Sequence, residues 1–330
     1  MGRQASGDPV KCTVPPRAVR RAITWIRPGI RQDLQRHLKP LVARARTRRI
    51  VNAVYRRLTF KQWRSFNWFF SRLFTAGEVG EPGHWTVDFA GRRIVLPLGR
   101  ESFPDDWERA ASFLGHDDEV KSTYARLLMG PDPPDLFIDV GANFGTHSLM
   151  FLVHGIEAWS FEPNAACHER FRALCRLNCV EPHIIHAAVA ERAGNATLSF
   201  PPGATWFGTI DPGVRDRIAE GSALTSETVR QTALDLYMPS MAGRRILLKI
   251  DAEGSERLVV AGARRMMEQL RPNVIFESTV ADKHRAEILA TFSTFGYTVR
   301  ELPWPRRGGQ ALSANAFRHT RHENFIALPG

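Results

Sequence analysis

Lys249, Asp251 and Glu253 alternate along the segment Leu248-Lys249-Ile250-Asp251-Ala252-Glu253-Gly254-Ser255-Glu256, and Glu277 closes a later apolar run, Asn273 to Phe276. One amine among carboxylates supplies the parts for taking a proton from a weak nucleophile. A carboxylate can act as base, and a lysine can orient it or, with a lowered pKa, act itself. Clustered carboxylates also suit a divalent cation, but no further ligand stands at a matching spacing, so no metal is expected. The plain alternative is a strand end closed by an ion pair of Lys249 with Asp251 or Glu277. All three alternating side chains share a face only if the strand runs on. Gly254 instead marks a turn, which places Asp251 near the carboxyl end of a strand.

A second group lies upstream. Asp139-Val140-Gly141-Ala142-Asn143-Phe144-Gly145 joins a short apolar run to a helical segment beginning at Thr146. Glycines at Gly141 and Gly145 allow a tight turn and close approach of backbone to a ligand. Glu162 follows at the end of the next apolar run, with Asn164 just beyond. An acid about 20 residues past such a loop can accept hydrogen bonds from both hydroxyls of a ribose. The dinucleotide fingerprint wants a glycine where Asn143 stands and another where Thr146 stands. The Asn143 side chain crowds a pyrophosphate, which argues for a nucleoside cofactor without one. S-adenosylmethionine is such a cofactor, and Asp139 is placed to face its amino acid end, directly or through water. His147 on the first helical turn reads as a packing or capping residue.

Elements able to position these groups are legible. Leu136–Val140, Ala158–Phe161, His183–Val189, Ile246–Ile250, Asn273–Phe276, Tyr297–Leu302 and Asn324–Ala327 read as strands. Helices alternate with them over Thr146–His154, Asn164–Asn178, Ser255–Leu270 and Asp282–Phe295. The continuous apolar runs suit strands covered on both faces, and the alternation predicts a mostly parallel sheet between helices. Before this unit, His84–Leu98 reads as a strand pair turning at Ala90-Gly91, and Asp105–Met129 as a helix. The expected organisation is a disordered tail over 1–16, a basic helical extension over 17–76, a strand pair and helix over 77–130, and a catalytic domain over 131–330.

The motif blocks around Ile138–Gly145, Phe161–Asn164, Leu248–Glu256 and Pro272–Glu277, in that order, resemble the FkbM methyltransferase family over about residues 130 to 330. Asn324-Phe325-Ile326-Ala327 is similar to the family's closing strand. The resemblance implies a class I methyltransferase (Rossmann-like) α/β fold with a seven-stranded, mostly parallel sheet and a reversed last strand. It implies S-adenosylmethionine as cofactor and methyl transfer to an oxygen, commonly a hydroxyl of a sugar, glycan or secondary metabolite. In that frame Asp139, Gly141, Asn143, Gly145, Thr146, Glu162 and Asn164 hold the cofactor. Lys249, Asp251, Glu253 and Glu277 serve the acceptor.

Charge divides the chain. The net charge is +11, yet residues 1–75 hold 18 Lys or Arg against Asp8 and Asp33. That basic stretch lies outside the family pattern. With Trp63, Trp68 and Phe69 it reads first as a helical cap packed on the catalytic domain, next as a surface for an anionic membrane, and least as a nucleic-acid arm. No apolar segment is long enough to span a bilayer and no signal peptide is evident, so a cytoplasmic location, peripheral to a membrane at most, is expected. Cys12, Cys167, Cys175 and Cys179 lack zinc-site spacing and read as reduced thiols. A nucleic-acid methyltransferase and a non-catalytic cofactor-binding or membrane-surface module are the competing readings.

Overall fold

The computed structural model describes residue 37 and residues 83–98, 117–202, 207–279, 284–305 and 310–330. The tail, the basic extension, the aromatic cluster with Trp63, Trp68 and Phe69, and the first part of the helix expected over 105–129 lie outside the described residues.

Two antiparallel strands open the described chain, β1 (Gly83–Phe89) and β2 (Arg92–Leu98). Ala90 and Gly91 take positive φ at their turn, as a tight hairpin requires. Helix α1 (Asp118–Leu128) follows. The main sheet then assembles from β3 (Leu136–Val140), β4 (Glu157–Phe161), β5 (His183–Ile185), β9 (Ile246–Ile250), β10 (Asn273–Glu277), β11 (Tyr297–Glu301) and β12 (Asn324–Pro329). Its order is β11-β12-β10-β9-β3-β4-β5. β3, β4, β5, β9 and β10 run parallel, and β12 runs antiparallel to both its neighbours. This is the class I methyltransferase arrangement, with its reversed strand in place.

Every residue of β3 and of β9 is buried, as a strand between two helical layers demands. The two-residue period sends Leu136, Ile138 and Val140 to one face and Phe137 to the other. On the Phe137 face, α2 (Thr146–Leu152) sets Phe151 against Phe137, ring centroids 3.9 Å apart. Helix α3 (Ala165–Leu177) packs alongside through Phe171 and Leu174. Asn164 caps α3 by accepting from the Ala166 amide at 3.0 Å, a side-chain role asparagine fills well. Asn178, just past its end, exchanges hydrogen bonds with the Val95 backbone at 2.7 and 2.8 Å and so fastens the hairpin to the domain. On the opposite face, α5 (Glu256–Ala261), α6 (Arg264–Gln269), α7 (Arg285–Thr294) and α8 (Ala314–His319) surround the strands. There Phe276, Phe292, Phe317 and Phe325 form one buried cluster.

Three expectations are corrected. The strand read over His183–Val189 is two strands in two sheets, β5 and β6 (Ala188–Val189). The helix read over Ser255–Leu270 breaks at Gly262-Ala263, where Gly262 passes so near the Ala190 carbonyl oxygen that a Cβ would stand 2.0 Å from it. A second sheet, β6-β8-β7, is added by β7 (Gly194–Phe200) and β8 (Thr225–Thr232). Helix α4 (Pro212–Ala219) lies between them, capped by Asp211.

Candidate active site

At the carboxyl ends of β3, β4, β9 and β10 the structure opens into a cavity of about 770 Å³. Ligands of open α/β sheets bind at this end, and the volume lies within the range of small-molecule sites, roughly 300–1,000 Å³.

Its floor begins with a polar stripe across the sheet. In register, Ser160 of β4, Asp139 of β3 and Lys249 of β9 lie side by side. Ser148 of α2 donates to Asp139 Oδ2 at 2.7 Å and lies 2.8 Å from Ser160 Oγ. Lys249 Nζ stands 3.6 Å from Asp139 Oδ1 and 3.0 Å from Asp251 Oδ2. Burial works against the ammonium, but Asp251 and Asp139 outweigh it and hold the lysine charged well above its ordinary range. Lys249 is therefore no candidate base. Asp139 is fully buried and does not line the cavity. Its carboxylate sits beneath the cavity beside the Lys249 ammonium.

The loop after β3 closes tightly. The Gly141 and Ala142 amides donate to the Phe161 carbonyl of β4. Gly141 adopts φ +80, and a Cβ there would meet the Asp251 carbonyl oxygen at 1.8 Å. Asn143 takes φ +49, a left-handed conformation that asparagine tolerates. Its amide donates to Glu162 Oε2 at 2.7 Å, and the Asn164 amide donates to Glu162 Oε1 at 2.7 Å. Burial raises the Glu162 carboxyl to about 7, opposed by these two amides. Gly141, Asn143, Thr146, Glu162 and Asn164 line the cavity, while Gly145 lies behind the loop with Phe171 in the space its Cβ would need.

Beyond β9 the chain turns at Glu253 and Gly254, both with positive φ. Glu256 holds this turn by accepting from the Ala252 and Gly254 amides at 2.8 and 3.2 Å. Lys249, Asp251, Glu253 and Glu277 all reach the cavity, so the structure gathers the whole acid group. The acids differ in state. Burial pushes the Glu277 carboxyl up to about 10, and the charge of Asp251 adds to this. It therefore holds a proton and shares it in a hydrogen bond to Asp251. Burial also opposes the charge of Asp251, yet Lys249 and Glu277 keep it ionised, below the usual carboxylate range. Burial lifts Glu253 to about 8, with Asp251 and Glu256 adding to the shift. Among the described residues no three His, Cys, Asp or Glu side chains converge in a geometry suited to a metal ion.

Two further walls complete the cavity. One comes from α1 and its approach: Asp117, Val120 and Lys121 line the cavity with His147. His147 is not a capping residue, since its Nδ1 lies 3.1 Å from the buried Tyr124 hydroxyl and its Nε2 3.6 Å from Asp117 Oδ2. Burial and then Lys249 lower its pKa. Its position two residues past Gly145 was the available signal. The other wall comes from the small sheet, as Leu198, Phe207 and Ile210.

The model of the methyltransferase FkbM domain matches residues 139–299. The 31-O-demethyl-FK506 methyltransferase FkbM of Streptomyces tacrolimicus is 28% identical over 235 residues, covering 64% of this chain and 90% of its own. The solved methyltransferase FkbM of Methylobacillus flagellatus KT aligns with a TM-score of 0.38 at 13% identity, over 69% of this chain and 56% of that one. The precorrin-6y C5,15-methyltransferase of Geobacter metallireducens GS-15 aligns with a TM-score of 0.33 at 11% identity, over 70% of this chain and 92% of its own. The match over residues 139–299 starts at Asp139, ahead of the loop, and takes in Glu162, the Lys249–Glu256 turn and Glu277; over these residues the chain carries a methyltransferase FkbM domain.

Proposed function

We propose that the chain transfers a methyl group from S-adenosylmethionine to a hydroxyl oxygen of a small-molecule or glycan acceptor. The observation that carries the cofactor assignment is the Glu162 carboxylate, held by the Asn143 and Asn164 amides at the cavity wall. Both oxygens keep lone pairs for ribose hydroxyls. Buried polar atoms nearby fit a ligand too. Among the described residues Asn164 Nδ2 and Ser255 Oγ are buried without hydrogen-bond partners, and both residues line the cavity. Groups left so are costly unless a ligand satisfies them.

When bound, the cofactor supplies a methyl group already activated on a sulfonium. What remains for the protein is alignment and proton removal. Gly141, Asn143 and Thr146 shape the cofactor side. Lys249 and the protonated Glu277 fix the ionised Asp251 at the end of β9, where it orients the acceptor hydroxyl. Oxygen as the methylated atom is supported by the name of the Streptomyces relative, which describes methylation at an oxygen. An acceptor rich in phosphate, such as nucleic acid, suits poorly a cavity with this many carboxylates.

Calorimetric titration with S-adenosylmethionine tests the cofactor. Glu162→Ala should weaken binding at least about tenfold, since hydrogen bonds to a charged group are worth about 1.5–3 kcal/mol. Parent-like affinity in that variant would place the cofactor elsewhere. A panel of hydroxylated acceptors, followed by formation of S-adenosylhomocysteine, then tests the transfer.

A further inference from the structure

Among the described residues six carboxylates line the cavity, Asp117, Glu162, Asp251, Glu253, Glu277 and Glu323, against the lysines Lys121 and Lys249. The Lys249 ammonium is divided between Asp139 and Asp251. Glu277 shares its proton with Asp251. Glu253 differs from both: it forms no hydrogen bond within the described structure and faces the cavity from the turn after β9. The groups acting on it through space are Asp251 and Glu256, which repel its charge, and Lys249, which attracts it. Glu277 approaches from β10, and Asp211, Arg217 and His284 line a smaller cavity on its other side. Beside it, Ser255 is 1% exposed, its Oγ has no hydrogen-bond partner among the described residues, and it lines the main cavity. An acid bed with an unsatisfied buried hydroxyl is built for a ligand that brings positive charge and a hydrogen-bonding group.

Resting on the cofactor reading above, we propose that Glu253 exchanges a proton with the charge of the bound cofactor. It releases its proton when a sulfonium occupies the cavity and regains one when the sulfonium becomes a neutral thioether. The regained proton is the one lost by the acceptor. In the transfer, a lone pair of the acceptor oxygen forms the new C–O bond, the C–S pair stays on sulfur, and the hydroxyl proton passes to the Glu253 carboxylate. One cation and one anion disappear together, so the buried site keeps its net charge throughout. Ion pairs in a cavity of low dielectric make any uncompensated change costly. The states of the neighbours agree with this division of labour. Glu253 lies near 8 and so starts protonated at neutral pH, Glu277 near 10 retains its proton, and Asp251 remains ionised.

The test is calorimetry of the full chain with S-adenosylmethionine and with S-adenosylhomocysteine at about pH 7, in phosphate and in Tris, whose ionisation enthalpies differ. The buffer dependence of the heat counts protons. Binding of the sulfonium should release about one proton more than binding of the thioether, because Glu253 is mostly protonated beforehand. Glu253→Gln should abolish that difference, and Glu253→Asn, which suits the left-handed backbone, should do the same. Glu277→Gln should retain it. Equal proton counts for the two ligands in the parent, or an undiminished difference in both Glu253 variants, would overturn the proposal. Failure of either ligand to bind at all would instead remove the cofactor reading beneath it.

Discussion

Gly141 and Asp251 meet backbone to backbone across the site, so closely that a single added carbon on the glycine would overlap the aspartate carbonyl oxygen at 1.8 Å. The same pair is tied by the Asp251 amide, which donates to the Val140 carbonyl at 3.1 Å. The cofactor loop and the acid turn are thus one unit, and displacing either displaces both.

Gly141→Ala should therefore fail as a local change. A β-carbon at φ +80 costs about 1–2 kcal/mol, and overpacking adds about 1–3 kcal/mol. A loss of about 3 kcal/mol and a fall in melting temperature on the order of 10 °C are expected. Gly155→Ala is the control, at φ +76 with nothing within 4 Å of the added carbon. It should cost only about 1 kcal/mol. Equal losses in thermal denaturation would show that the contact with Asp251 does not matter.

Lys249→Met removes the cation shared by Asp139 and Asp251. Breaking a buried pair while leaving its partner charged costs about 3–5 kcal/mol, and here two partners remain. Stability in denaturant should fall by at least that amount at neutral pH. It should recover partly as pH drops, because the stranded carboxylates can then take up protons. A variant as stable as the parent at neutral pH would mean that the stripe is not electrostatically coupled.

Glu277 links stability to pH with an inverted sign. Its native carboxyl titrates at about 10, above the ordinary value of about 4.3 expected on unfolding. Between these values the native state holds a proton that the unfolded state lacks, so rising pH favours unfolding. The contribution is complete below about pH 4 and is lost progressively up to the native value. Relative to Glu277→Gln, which cannot ionise, the parent should lose about 1 kcal/mol per pH unit between about pH 5 and 9. Denaturant titrations of both proteins across that range check it, and a constant difference would mean that Glu277 is ionised in the native state.

Asp251→Asn should keep cofactor affinity within a few-fold and lower the rate of methyl transfer by about 10² or more, the scale on which a misplaced acceptor costs rate. Cofactor calorimetry beside a turnover assay separates the two effects. Undiminished turnover would remove Asp251 from the acceptor site.

The sequence made the parallel strands plain, because β3, β9 and β10 are buried runs with no competing pattern. It showed the loop and Glu162 for the same reason, since a strand end and a glycine turn are local features. It hid the small sheet. β7 and β8 are mostly exposed along their length and carry too little apolar alternation to stand out. It fused β5 with β6 because only His186 and Ala187 separate them. It did not show the Asp139–Lys249 pair, because strand position alone cannot reveal that the two lie side by side in register. His147 was passed over because its partners, Tyr124 and Asp117, are 23 and 30 residues away in sequence.

Arg244 sits at the other end of the same strands, gripping Asp135 Oδ1 at 2.8 Å and Glu157 Oε2 at 3.0 Å. It clamps the points where β3 and β4 begin, while the chemistry occupies the points where they finish. Substitutions around the cavity, at the carboxyl ends of β3 and β4, therefore leave the clamp at which those strands start untouched.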